Sequence, residues 1–409
     1  MALIDVFLSR GVKRGELTLI KPNGSRRTFG RPDAELKPVT LRLADNGVVR
    51  RILADPSLGA GEAFMDGRLV LEQGDVLDMI SLFSANRRYE AGEPPVDQAS
   101  LPMRLLGRVR HRVATRNAAR AAKRNVQHHY DLSDRLYDLF LDADKQYSCA
   151  YYTDPANSLE RAQDDKKAHI AAKLALRPGM RVLDIGCGWG GMALFLHAKT
   201  GAEVLGVTLS EEQLKVARAR AAAAGVADKV RFELRDYRHV TETFDRIVSV
   251  GMLEHVGPAN FRDYFATCRR LLAPDGVALI HTIGRADGPG FTDAFTNRYI
   301  FPGGYIPSLS ELVRANDGLH WFVSDVEVLR LHYAYTLKAW YDRTVAAKEA
   351  IVALYDERFF RMWTFYLAGS YASFRWGQMV NYQLQFTRDR FALPVTRDYM
   401  AEEEARLRG

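Results

Sequence analysis

Cysteine is scarce in this chain: Cys149, Cys187 and Cys268 are the three among 409 residues. Scattered in this way they match no metal-ligand spacing and no disulfide framework, and they suit a reducing cytoplasm. Long apolar runs are missing as well. No window approaches the ~18 uninterrupted apolar residues of a membrane-spanning helix. The stretch from Met1 to Gly15 holds Asp5 inside its only apolar run and lacks the basic-then-apolar order of a secretory signal. Acidic residues are missing from one whole segment, since none occurs between Asp97 and Asp131. Arg104, Arg108, Arg112, Arg116, Arg120 and Arg124 recur there every four residues, with Arg110 and Lys123 beside them. These eight positive charges exceed the net charge of the whole chain, +7. On a helix several of the arginines would share a face and repel one another unless anions offset them. Membrane phospholipid or RNA would serve as that anion. A solvated basic linker is the plainer alternative.

What is present describes an ordinary globular chain, 47% hydrophobic and 26% charged, long enough for two or three units. Residues 1–90 read as a small α+β auxiliary domain. Leu17, Leu19 and Ile20 open a strand ahead of a Pro22-Asn23-Gly24-Ser25 turn. Val39 to Leu43 alternates as a second strand and runs toward Asn46-Gly47, which predicts a hairpin. Helices are expected over Gly59 to Asp66 and Asp75 to Phe83. No catalytic constellation is visible there, which leaves packing or substrate delivery. Residues 91–125 read as a linker, with Gly92, Pro94, Pro95 and Pro102 ahead of the basic stripe. Residues 126–409 read as the catalytic domain. The adjacent His128 and His129 find no third ligand at a metal spacing, so no metal site is expected.

The most informative stretch is Arg181-Val-Leu-Asp-Ile-Gly-Cys-Gly-Trp-Gly-Gly191. Val182, Leu183 and Ile185 form an apolar run suited to a strand buried on both faces. Four glycines follow within six positions, then a helix from Met192 to Lys199. Strand, glycine turn, helix is the first βα unit of a nucleotide-binding sheet, because glycine permits positive φ and lets a ligand approach bare backbone. A tight turn without a ligand is the alternative. Strands continue over Ala202 to Val207, Val230 to Leu234, Phe244 to Val250 and Gly276 to Ile283, with helices over Glu211 to Ala224 and Phe261 to Leu272. This is a doubly wound, Rossmann-like α/β sheet, whose ligands bind outside the carboxyl ends of the strands. Asp236, Tyr237, Glu254, His281 and Ile283 all fall at or near those ends. The second strand runs out through Gly206-Val-Thr-Leu-Ser210 with no acid to hold a ribose, which argues against NAD. Thr208, Ser210 and Gln213 are its polar substitutes. Farther on, seventeen aromatics crowd residues 321–386. Most are expected in the core; the others suit an apolar cavity or a cation held against ring faces.

Taken together, several motifs resemble the cyclopropane-fatty-acyl-phospholipid synthase family. They are Val182 to Gly191, Gly206 to Ser210, Asp245-Arg-Ile-Val-Ser-Val-Gly-Met-Leu-Glu-His-Val-Gly257 and His281-Thr-Ile-Gly284. Asn125-Val-Gln-His-His-Tyr-Asp131, Tyr147-Ser-Cys149 and Tyr299-Ile-Phe-Pro-Gly-Gly304 join them. The likeness covers roughly residues 125–390. It implies a class I methyltransferase sheet with a helical lipid-binding cover, and S-adenosylmethionine as the donor of a methylene bridge across a cis double bond of a phospholipid acyl chain. By the same resemblance Gly186, Gly188 and Gly190 approach the methionine part, with Asp184 at the strand end. Tyr147 and Ser148 close over it. Thr208, Ser210 and Gln213 hold the ribose region, and Asp236 with Tyr237 the adenine. A bicarbonate ion is the implied base, gripped around Cys149, Glu254, His281, Ile283 and Tyr333. Tyr333 is matched through Tyr333-Ala-Tyr-Thr-Leu-Lys-Ala-Trp340. Ser370 stands where many relatives carry a cysteine, which speaks against a thiolate mechanism at that place.

The residues suit this chemistry. A sulfonium methyl is a strong electrophile, so a neutral alkene needs no activated protein nucleophile. The carbocation that follows must be kept from water and then lose a proton. An aromatic, apolar surround answers the first need and a held base the second. The expectation is therefore a cytoplasmic enzyme lying peripherally on the inner face of a membrane, its basic stripe on anionic phospholipid, with no nucleic-acid partner. A homodimer is among the states the resemblance implies. A methyl-branched or methylene-bearing product from the same cation is the nearest alternative. An RNA methyltransferase is the next, but residues 104–124 lack interleaved aromatics and no Asn-Pro-Pro-Tyr type signal occurs. An inactive lipid-binding relative would have lost Glu254, His281 or Tyr333, and all three stand.

Overall fold

The computed structural model describes residues 3–92 and 134–408. The basic stripe, the Pro-rich part of the linker, His128, His129 and the motif from Asn125 to Asp131 lie outside the described residues. The described chain divides into two units, each with a sheet of its own.

One unit combines the residues up to 92 with Thr292–Pro302 and Ala334–Met379. Its four strands are β1 (Gly15–Ile20), β2 (Arg26–Arg31), β3 (Val39–Leu43) and β4 (Leu69–Gln73), in the order β2-β1-β3-β4. β1 and β2 form the antiparallel hairpin expected from Pro22 to Ser25, closed by Lys21 N donating to Ser25 O at 2.9 Å. The hairpin expected at Asn46-Gly47 does not form. Asp45 is extended there, and its carboxylate accepts from Gly47 N and Val48 N, capping a helix over Asn46–Ala54. Arg68 grips the same carboxylate at 2.7 and 3.0 Å. The N-cap satisfies two otherwise orphaned amides, about 1 kcal/mol of helix stability, and this local gain overrides the Asn-Gly turn preference. β3 then pairs parallel with β1 and antiparallel with β4, leaving no place for a hairpin at its end.

Residues far along the chain complete this unit. Gly61, in the helix Pro56–Met65, lies so close to Phe295 that a Cβ there would stand 2.5 Å from its ring. Tyr299 donates its hydroxyl to Glu62 Oε1 at 2.9 Å, and Arg298 pairs with the same oxygen at 2.9 Å. The helix Glu357–Arg375 carries the aromatic spacing read from the sequence, with Phe359 stacked on Trp363 and on Tyr355. Trp340 and Trp363 are fully buried, so much of the aromatic excess is core.

The second unit comprises residues 134–291, Gly303–Tyr333 and 380–408. Its strands are β5 (Arg181–Ile185), β6 (Glu203–Thr208), β7 (Val230–Leu234), β8 (Phe244–Val250), β9 (Leu272–Arg285), β10 (Phe322–Leu329) and β11 (Met379–Thr387). They lie in the order β10-β11-β9-β8-β5-β6-β7. β5 pairs parallel with both β6 and β8, as do β6 with β7 and β8 with β9; β10 and β11 are antiparallel. Val182 and Leu183 are fully buried, at about 1.5–3 kcal/mol each. β5 is thus the strand from which the order runs both ways, and its carboxyl end is the switch point where such sheets bind ligands. Five of the seven strands follow from the sequence pattern. β10 and β11 were hidden among the aromatics. In β11, Val380, Tyr382, Leu384 and Phe386 alternate with Asn381, Gln383 and Gln385, and all seven are buried. Three buried amides in one strand need partners: Asn381 and Gln383 face His281, and Gln385 donates to Lys173 O at 2.6 Å and to the Tyr399 hydroxyl at 2.8 Å. No helix among the described residues is long and apolar enough to cross a membrane.

Candidate active site

The glycine turn leaves β5 with Gly186, Gly188 and Gly190 all at positive φ, +81°, +54° and +85°. Gly190 is closed in by packing: a Cβ there would stand 2.7 Å from the Phe232 ring. At Gly186 it would meet Met252 at 3.0 Å, whereas at Gly188 it would meet nothing within 4 Å. Gly188 therefore faces open space, as a position that a ligand approaches should. Asp184, one residue from the end of β5, is 2% exposed, and its Oδ2 has no hydrogen-bond partner among the described residues. Burial pushes its pKa up to about 7, with Lys166 pulling the other way. An orphaned, buried acid beside a bare glycine turn is a seat for a donor or a cation.

The next strand supplies a second cluster. After β6, Thr208 donates its hydroxyl to Gln213 Oε1 at 3.1 Å and accepts from Ser210 N at 3.1 Å. Ser210 in turn caps the helix Glu211–Ala223 by accepting from Gln213 N. All three are buried. Beyond β7, Asp236 accepts from Arg238 N and Nε at 2.9 Å each. Burial would raise its pKa, but the Arg238 guanidinium outweighs burial and holds it below the usual value. Tyr237 beside it packs edge-on against Tyr264.

Residues 142–149 are anchored beside the turn by a network that the sequence does not announce. Lys166, fully buried on the helix Leu159–Leu174, donates to Gln146 Oε1 at 2.6 Å and to Ser148 Oγ at 2.8 Å. Gln163 donates to Gln146 O and Ser148 O. Lys167 pairs with Asp144 at 2.7 Å, and Arg220 grips the same carboxylate. A Cβ at Gly191 would stand 2.4 Å from both Asp144 and Gln146, so the segment lies directly on the start of the helix Gly191–Thr200. Tyr147 packs edge-on against Tyr137, which packs on Trp189 of the turn. Burial lowers the Lys166 pKa to about 8, with Asp142 opposing. A single sequence offers no signal for Lys166: it sits in an Ala-rich helix among other lysines.

Of the five residues expected to grip the base, Glu254, His281 and Ile283 lie at or near the carboxyl ends of β8 and β9. Val250 is paired with His281, and Gly251 N donates to His281 O at 2.9 Å, which leads the chain into the short turn Leu253–His255. Glu254 on that turn is 9% exposed and accepts from Ile283 N through Oε1 at 2.6 Å. Its Oε2 has no partner among the described residues, and burial raises its pKa. Glu254 and Ile283 are thus joined directly. His281 is 1% exposed and lies within hydrogen-bonding distance of Asn381 and Gln383 of β11. Burial, reinforced by Lys166 and Lys173, pushes its pKa down to about 3, so the ring is neutral. Cys149 is buried with its thiol on Ala150 O at 3.3 Å, and burial raises its pKa, so it remains a thiol. Tyr333, at the start of the helix His332–Ala346, is buried and belongs to the same unit as the other four.

A seven-stranded doubly wound sheet with an antiparallel pair at one side and a glycine turn at its switch point is the class I, S-adenosylmethionine-dependent methyltransferase fold. The orphaned Asp184 and the open face of Gly188 fit a cationic sulfonium donor. A family model described as mycolic acid cyclopropane synthetase matches residues 117–384, and the chain belongs to that family. The cyclopropane-fatty-acyl-phospholipid synthase of Escherichia coli (strain K12) is 40% identical over 351 residues, 86% of this chain and 88% of that protein. A probable fatty acid methyltransferase of Pseudomonas putida is 38% identical over 364 residues, 85% of this chain and 88% of that protein. A solved mycolic acid cyclopropane synthase in complex with SAH and CTAB superposes with a TM-score of 0.62 at 35% identity, covering 64% of this chain and 97% of that one. The chain is therefore an enzyme, an S-adenosylmethionine-dependent methyltransferase of the cyclopropane synthase type.

Proposed function

We propose that the chain transfers a methylene group from S-adenosylmethionine to the cis double bond of unsaturated phospholipid acyl chains, forming cyclopropane fatty acids. The observation that carries this reading is the Glu254 carboxylate, buried at the strand ends with one oxygen held by Ile283 N and the other buried without a partner among the described residues. S-adenosylmethionine supplies an electrophilic methyl on a sulfonium. A carbon–carbon bond forms to the alkene as the sulfur–carbon bond breaks, leaving a cation on the adjacent acyl carbon. Loss of a proton from the added methyl closes the ring, so the net change is one methylene gained and one proton released.

Bicarbonate is the base that we assign to this proton, and Cys149, Glu254, His281, Ile283 and Tyr333 are the residues that would hold it. The buried, unpartnered Glu254 oxygen suits the single hydroxyl of such an ion. The neutral His281 is a poor base of its own, which favours a separate one. Gly186, Gly188, Gly190 and Asp184 receive the methionine part of the donor, under Tyr147 and Ser148. Thr208, Ser210 and Gln213 take the ribose, and Asp236 and Tyr237 the adenine. The basic stripe at 104–124 docks the enzyme on anionic phospholipid at the inner face of the membrane, on the cytoplasmic side, without nucleic acid. Self-association as a homodimer is compatible with this arrangement.

A second reading keeps the donor and the cation but ends in a methyl-branched chain. The Pseudomonas putida relative, named as a probable fatty acid methyltransferase, favours it at nearly the same identity. Expression in a bacterial host without cyclopropane lipids, followed by proton NMR of its lipids, separates the two. Upfield cyclopropyl methylene signals are expected. A new branched methyl signal without them supports the second reading, and unchanged monounsaturated chains overturn both.

A further inference from the structure

Gln383 bridges two groups whose chemistry determines which way its amide faces. Lys173, 1% exposed on the helix Leu159–Leu174, places Nζ 2.8 Å from Gln383 Oε1. An ammonium only donates, so the amide oxygen must face it, and a reversed amide would set donor against donor. The amide nitrogen then faces His281 Nδ1 at 3.2 Å. Lys173 cannot swing away. It pairs with Glu327, whose Oε2 also meets His169 Nε2 at 2.7 Å, and His169 Nδ1 meets Glu404 at 3.0 Å. Tyr151 stacks on His169 with ring centres 4.0 Å apart and on His332 at 4.8 Å, bracing the cluster from the side.

We infer that Lys173, through Gln383, is a positioning residue that holds His281 as the neutral tautomer with its proton on Nε2. A donor facing Nδ1 requires a lone pair there, and a neutral imidazole then carries its hydrogen on the other nitrogen. On the far side of the ring the assignment requires the Asn381 amide to be turned over. Asn381 Nδ2 lies 3.3 Å from His281 Nε2, while Asn381 Oδ1 has no partner among the described residues. Turning that amide over gives Nε2–H an acceptor and Oδ1 a donor at once. The burial that keeps the ring neutral removes the imidazolium, in which both nitrogens would donate and the tautomer would lose its meaning. In the site proposed above, on which this last step rests, His281 takes no proton and acts through an Nε2–H that Asn381 Oδ1 shares.

Long-range proton–nitrogen NMR of enzyme labelled with nitrogen-15 in histidine tests the assignment. His281→Asn identifies the resonances by their loss. In the wild-type enzyme His281 is expected to show a pyridine-type Nδ1 and a pyrrole-type Nε2. Gln383→Glu, of the same shape, keeps the Lys173 contact but turns an acceptor toward Nδ1, and the two nitrogen types are expected to exchange. Lys173→Met releases the Gln383 amide and is expected to give averaged resonances of both tautomers. A pyrrole-type Nδ1 in the wild-type enzyme overturns the inference, as does an unchanged wild-type pattern in either variant. The wild-type spectrum alone decides it should a variant fail to fold. Exchanged tautomers with an unchanged turnover number would leave the assignment standing and remove His281 from the catalytic reading.

Discussion

Asp184 and Glu254 are acids of one kind in two roles, and burial separates them from every surface carboxylate of the chain. Asp184 is neutral below about pH 7 because desolvation outweighs the nearby Lys166. A folded-state pKa raised above the unfolded one favours the protonated fold, so this group's contribution to stability falls as pH rises toward 7 and is level above it. Asp184→Asn is expected to remove that fall, read as a flatter dependence of the melting temperature between pH 5 and 8. For a cationic donor the sign reverses. Only the ionised acid attracts it, so the affinity of the wild-type enzyme for S-adenosylmethionine is expected to rise up to tenfold per pH unit on approaching pH 7. Calorimetric titration of Asp184→Asn is expected to give a flat profile. Glu254→Gln keeps an oxygen for Ile283 N and fills the same volume. Its turnover is expected to drop about 10²-fold or more, the scale of a lost acid–base or ion-holding group, with an unchanged melt. A drop of less than threefold would remove Glu254 from the proposed site.

At the scale of elements, the glycine turn and the segment 142–149 lie against one another, and each glycine answers a different constraint. Gly188→Ala meets no neighbour, so its cost is the left-handed backbone, about 1–2 kcal/mol. Gly190→Ala adds a collision with Phe232 and is expected to melt lower still. Of the two, Gly188→Ala is expected to fold and yet to bind S-adenosylmethionine poorly, because the methyl occupies the open face. Lys166 ties the second element down through Gln146 and Ser148. Lys166→Met is expected to weaken binding about tenfold, the size of one charged hydrogen bond, and unaltered affinity would show that 142–149 holds its place without it. Much of this level is legible in the sequence. Strand, turn and helix around 181–200 depend on residues next to one another. At Asn46–Ala54 the Asn-Gly pair points to a hairpin and the capping Asp45 to the helix that forms, with both signals within three positions.

Across the whole molecule, charge and connectivity matter more than any one pair. The eight basic residues between Arg104 and Arg124 are set in a stretch without a single acid. At about 1 kcal/mol per basic residue near an anionic bilayer, three reversals are expected to abolish vesicle binding. Sedimentation of Arg108→Glu/Arg112→Glu/Arg116→Glu with phosphatidylglycerol vesicles at low salt measures it, and unchanged binding would rule the stripe out as the docking surface. Connectivity is the part that chain order conceals. Thr292–Pro302 and Ala334–Met379 belong to the same unit as the N-terminal sheet, whereas the residues between and after them belong to the unit of the methyltransferase sheet.

The amino-acid sequence determined by itself the parallel strands β5 to β9, the glycine turn after β5, and the acids and histidine at the strand ends. Those features rest on short-range pattern: an apolar run, glycines where φ must be positive, polar residues where strands stop. Only the tertiary structure decided what these residues are at work. Glu254 gains its half-satisfied carboxylate from Ile283, 29 positions on, and His281 its neighbours from β11, about 100 positions away. Burial and hydrogen-bond direction set a proton's place, and both depend on which distant segments the fold packs together.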